Sequence, residues 1–115
     1  MKLLVQLATG PEHPTRASLA LLVARTAASE GHDVRVFLAG DAVQLVRAET
    51  ADAVRGVGTG AFGEHWSALR DAGVPVFLSG LSSKARGVDA VAGAELAPPE
   101  KLVELVAWAD NTLTY

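Results

Sequence analysis

The 115-residue chain contains no cysteine. That absence excludes disulfides, thiolate zinc sites, iron–sulfur ligation and every thiol nucleophile. Aromatic residues are scarce at 5%, and charged residues stop at 20%, below the usual share of about 25%. Basic charge is short as well: Lys and Arg number 10 against 13 Asp and Glu, a net charge of −3. With no run of like charge, the chain lacks the basic face that counterion release from nucleic acid or an anionic membrane requires. Neither partner is expected. Long hydrophobic runs are missing too, since the stretch from Leu19 to Ala24 is ended by Arg25, far short of the ~20 residues of a membrane span. No small-residue cleavage motif follows the short apolar run within Met1 to Gly10, so a cytoplasmic protein is the expectation.

What is present is apolar: half of all residues. A chain of this length supports one domain, residues 1–115, because folding at this size removes roughly two-thirds of the unfolded surface and fills a single core. So high an apolar share in so small a body leaves apolar surface over, and predicts self-association.

The order of elements predicts a parallel sheet with helices on both faces. Residues 2–8 read as a buried strand that ends at Thr9-Gly10-Pro11, and Pro14-Thr15 opens a helix to Glu30 whose stripe is Leu19, Leu22 and Val23. Gly31 stands at its left-handed C-cap. Asp33 to Ala39 is a second strand, after which Asp41 and Gln44 have the spacing of a capping box over a short helix, residues 42–47. Residues 49–62 read as a loop with at most one turn of helix. A helix follows over 64–72, with Trp66, Leu69 and Ala72 three apart and Gly73 as C-cap. Residues 74–78 form a third strand, Ser82 or Ser83 caps a short helix near residues 84–88, Pro98-Pro99-Glu100 starts a helix to Ala109, and Thr112 to Tyr115 is a last strand. Strands alternating with helices in this way make an α/β fold.

In such sheets ligands gather at the carboxyl ends of the strands, which singles out three turns: Thr9 to Arg16, Ala39 to Gln44 and Ser79 to Gly87. In the last, hydroxyls of Ser79, Ser82 and Ser83 and the charges of Lys84 and Arg86 stand at a helix start, suited to a small anion; the plainer reading is one N-cap and two solvated cations. Gly58, Gly60 and Gly63 match G-x-G-x-x-G without a preceding strand, so the segment reads as a mobile loop and no cofactor is expected. His13, His32 and His65 lack i, i+4 spacing, and no metal site is expected. His32 reads as a cation at a helix end.

Three segments carry a resemblance: Met1 to Arg16 with Thr9-Gly10-Pro11-Glu12-His13-Pro14-Thr15-Arg16, Phe37-Leu38-Ala39-Gly40-Asp41, and Gly73 to Val88. Together they resemble the DsrE/DsrF-like (YchN-like) family of small sulfur-relay proteins over nearly the whole chain. The resemblance implies a single three-layer α/β domain with a five-stranded, mostly parallel sheet, assembled as a trimer or hexamer. It also implies a persulfide cysteine in the turn, where Ser79 or Ser82 stands here, ahead of Lys84-Ala85-Arg86-Gly87. A serine hydroxyl titrates too high to act as a soft nucleophile or hold sulfur. The expectation is therefore a non-catalytic accessory oligomer that binds a small anion or ligand through Thr9, His13, Arg16, Ser79, Ser82, Ser83, Lys84 and Arg86. The alternative is an enzyme that uses Ser79, Ser82 or His13 in a reaction without a thiol. A base within hydrogen-bond reach of a serine hydroxyl discriminates between the two.

Overall fold

Strand β1 (Lys2–Leu7) and strand β2 (Asp33–Leu38) pair in parallel, with Val5 opposite Val36 and Leu7 opposite Leu38. They sit inside a sheet completed by β5 (Val76–Ser79), β6 (Ala94–Ala97) and β7 (Asn111–Thr114), in the order β6-β5-β2-β1-β7. Every pairing in it is parallel. The computed structural model describes residues 1–115. Both faces of the central strands are covered, which is why they are mostly apolar, interrupted by Gln6 and Arg35 alone between Leu3 and Leu7 and between Val34 and Leu38, rather than strictly alternating.

Helix α1 (Pro14–Ser29) begins with proline at its first turn, where a missing N–H costs nothing. It buries Ala17, Ala20, Leu21, Ala24 and Ala27. The stripe expected from the larger residues does not hold: Leu19 is exposed and Leu22 and Val23 are only half-buried. Small alanines let the helix backbone lie close to its neighbours, and the larger side chains flank that contact. Gly31 (φ 89°) and Gly73 (φ 71°) take left-handed conformations just past α1 and the later helix α3 (Phe62–Asp71), as expected for glycine at these ends.

After β2 the chain forms a 3₁₀ segment, Gly40–Val46, entered from Ala39 with no side-chain cap. The capping box is therefore not made; the Asp41 carboxylate turns to Arg86 instead. Residues expected as loop carry helix α2 (Ala48–Ala53) and a small hairpin of β3 (Arg55–Gly56) and β4 (Gly60–Ala61). The hairpin is pinned rather than free. The Ser18 hydroxyl shares its proton between the carbonyls of Thr59 (2.9 Å) and Gly60 (2.7 Å), and His65 Nε2 donates to the Thr59 carbonyl at 2.7 Å. Glycines at 58 and 60, with φ 76° and 83°, make the turn. The G-x-G-x-x-G spacing thus serves a hairpin that leads into helix α3 (Phe62–Asp71). His32, just past the end of α1, places its Nδ1 2.9 Å from the amino nitrogen of Met1.

Helix α4 (Gly80–Arg86) is capped by Ser79, whose hydroxyl accepts from the Ser82 N–H, and not by Ser82 or Ser83. Strand β6 had no counterpart among the elements read from the residues themselves. Ala-Glu-Leu-Ala has no β-branched residue and only one large apolar side chain, so nothing in its composition marks a strand. Helix α5 (Pro99–Trp108) follows. The larger core lies on the side of α1, the 3₁₀ segment, α2 and α3, while on the opposite side α5 covers a small cluster of Leu4, Phe37, Phe77, Ala97 and Leu105. No helix is long and apolar enough to cross a membrane.

Candidate ligand site at the carboxyl ends of the strands

The carboxyl ends of β1, β2 and β5 bring the expected turns together. Gly10 lies against the backbone of Asp41, so closely that a Cβ there would collide with the Asp41 carbonyl. The Gly40 N–H donates to Ser82 Oγ at 2.9 Å. Arg86 Nε donates to Asp41 Oδ1 at 2.9 Å, and its NH1 reaches the Ser82 carbonyl at 3.3 Å. Arg47 completes the clamp by donating to the carbonyls of Arg86 and Gly87. These bonds tie the turn after β2 to α4.

Of the residues singled out in the sequence, Ser79, Ser82 and Arg86 belong to this network. Ser83 is 1% exposed and its hydroxyl has no hydrogen-bond partner. Lys84 is exposed and has no carboxylate within ion-pair distance. The side chains of Thr9, His13 and Arg16 make no hydrogen bond to the serines or to the Arg86 cluster. His13 instead closes the turn before α1 through its backbone, donating to the Gly10 carbonyl and accepting from Ala17.

Two contributors were not foreseen. Asp41 has the local spacing of a helix cap, yet it is the counter-ion of Arg86, and Arg47, at the end of the 3₁₀ segment, donates to the carbonyls at the end of α4. Neither pairing has a sequence signal, because 45 residues separate Asp41 from Arg86 and the sheet alone joins them. Chemically, the Ser79 and Ser82 hydroxyls both accept backbone N–H bonds, and neither is bonded to His, Asp or Glu. Arg86 is engaged, so the free charge of the turn is that of Lys84.

Residues 1–115 match the sequence profile of the DsrE/DsrF-like family. The fold is similar to that of the YchN protein from E. coli, with a TM-score of 0.80, 24% identity and 100% of each chain covered. It is also similar to a conserved protein of unknown function from Bacteroides thetaiotaomicron, with a TM-score of 0.75, 16% identity, and 99% of this chain and 94% of that one covered. No curated protein matches the chain. At such identities the two structures speak for the fold alone, whereas the family profile runs from the first strand through the serine turn to the last strand. The chain belongs to the DsrE/DsrF-like family, as a member without cysteine.

Proposed function

We propose that this protein is a non-catalytic, accessory oligomer of the DsrE-like type that holds a small anionic ligand at the carboxyl edge of its sheet. The observation that carries the reading is the state of Ser79 and Ser82. Each hydroxyl accepts a backbone N–H, from Ser82 and Gly40 respectively, and neither has a base beside it to remove its proton. Nucleophilic activation of serine needs such a base. Lys84 offers the unpaired charge for an anion, with Arg86 held by Asp41.

Loss of sulfur transfer is tested directly. After incubation with a cysteine desulfurase and cysteine, the intact chain should gain no mass corresponding to an added sulfur atom. A stable, reductant-sensitive sulfur adduct would overturn the reading. The oligomer is supported by aliphatic side chains left at the surface, among them Val57, Val103 and Val106. Light scattering should give a trimer or hexamer of the 11.9 kDa protomer, and a mass near one protomer would remove that part.

A further inference from the structure

We infer that the crevice between the ends of β5 and β6 binds a small amphipathic anion, an aliphatic chain bearing one negative head group. This deepens the ligand-binding half of the proposed function and rests on it. The topology creates the crevice. From β5 the chain turns into α4, which packs against the 3₁₀ segment on the larger-core side. From β6 it turns into α5, on the opposite side. Two adjacent strands therefore send their connections to opposite faces, the arrangement that opens a ligand crevice in parallel sheets.

A cavity of about 400 Å³ lies there, lined by Gly80, Leu81, Lys84, Leu96, Ala97, Pro98 and Pro99. Its size falls in the usual small-ligand range of about 300–1,000 Å³. Its walls set the chemistry of the occupant. Leu81 is 67% and Leu96 44% exposed, which puts two isobutyl groups in water beside two proline rings. Water gains nothing from that surface, and a short hydrocarbon chain does.

The head group follows from charge. Lys84 is the one charged residue lining the cavity, and its ammonium pairs with no carboxylate of the chain. Pro98 and Pro99 have no N–H to donate, so the start of α5 adds no amide there. Lys101, the nearest other lysine along α5, is engaged by Glu104 at 3.2 Å and stacks over the Phe77 ring. An uncharged ligand would gain nothing from the exposed Lys84 ammonium, and a phosphate or sulfate alone would leave the leucines in water. An alkyl carboxylate satisfies both walls.

The test follows the methyl resonances of Leu81 and Leu96 in the full-length protein during titration with butanoate, hexanoate, octanoate and hexanol. Hexanoate should shift both leucines, affinity should tighten about two- to fourfold per added methylene, and hexanol should bind markedly more weakly. Lys84→Ala should cost about tenfold for hexanoate, and Lys84→Arg should restore binding. No shift at millimolar hexanoate, equal response to hexanol, or an unchanged Lys84→Ala titration would overturn the inference. So would leucine shifts that follow protein concentration alone, with Leu96→Glu lowering the mass by light scattering, because a second copy would then cover the crevice. Sulfur acceptance and a protomeric mass bear on the accessory-oligomer reading and leave the methyl titration to judge the crevice.

Discussion

Replacing Phe37 by Ala should lower the free energy of unfolding by about 3–5 kcal/mol, measured as the shift of the denaturant midpoint. Phe37 lies in the middle of the sheet on β2, 2% exposed, in the five-residue cluster beneath α5. A domain of this length has a total stability of roughly 6–17 kcal/mol, so one side chain accounts for a large share. The reason is the asymmetry of the two cores. On the larger side many residues surround any cavity and can relax into it, but α5 places only Leu105 fully into the smaller cluster. With Phe37 gone, Leu105 loses a ring across from it and Leu4 and Phe77 remain as partial support. We expect α5 to detach before the rest of the fold. Trp108, stacked 4.1 Å from the Arg35 guanidinium carbon, reports this by fluorescence. A midpoint shift equivalent to less than about 1 kcal/mol, with Trp108 unchanged, would show that α5 is anchored elsewhere.

The sequence announces the central strands and the helix ends, because those depend on neighbouring residues. Leu3 to Leu7 and Val34 to Leu38 are apolar except for Gln6 and Arg35, since both faces of these strands are largely buried; Gly31 and Gly73 stop helices by a backbone conformation that side chains disfavour. What stays hidden depends on residues far apart. Strand β6 exists because β5 offers it an edge, with Phe77 opposite Glu95 and Ser79 opposite Ala97. Asp41 has the local spacing of a cap, and the stronger competitor is an arginine brought in by α4. At a cap the Asp41 carboxylate would face an uncharged backbone N–H, whereas at Arg86 both partners are ionised, and the carboxylate goes to the arginine. The hairpin at residues 55–61 depends on Ser18 and His65 from two helices, so its glycines alone read as a loop. The serine turn lies where strand ends meet, as its place after a strand indicates, but Ser79, Ser82 and Arg86 are partnered within the chain by residues that no local spacing reveals.

That partnering makes Ser82→Cys the most informative gain-of-function change. The new sulfur would occupy the position of an oxygen that now accepts the Gly40 N–H. A donor aimed at a thiolate stabilises its charged form, so the thiol should titrate below the ordinary value of about 8.5. A shift of one unit raises the thiolate fraction at pH 7 by about eightfold, and alkylation by iodoacetamide should accelerate by several fold over an unstructured cysteine peptide, somewhat less where nucleophilicity falls with basicity. Ser79→Cys behaves differently. There the side chain caps α4, and exchanging a hydroxyl for a weaker acceptor costs about 0.5–2 kcal/mol of stability. Arg86 adds little to either thiol while Asp41 neutralises it. In the Ser82→Cys background, Asp41→Asn releases that charge and should lower the thiol pKa further, read as a shift of the alkylation pH profile to lower pH. The desulfurase assay should then transfer sulfur to Ser82→Cys and not to the parent chain. If Ser82→Cys alkylates no faster than the peptide and Asp41→Asn leaves its profile in place, the turn does not favour an anion at residue 82.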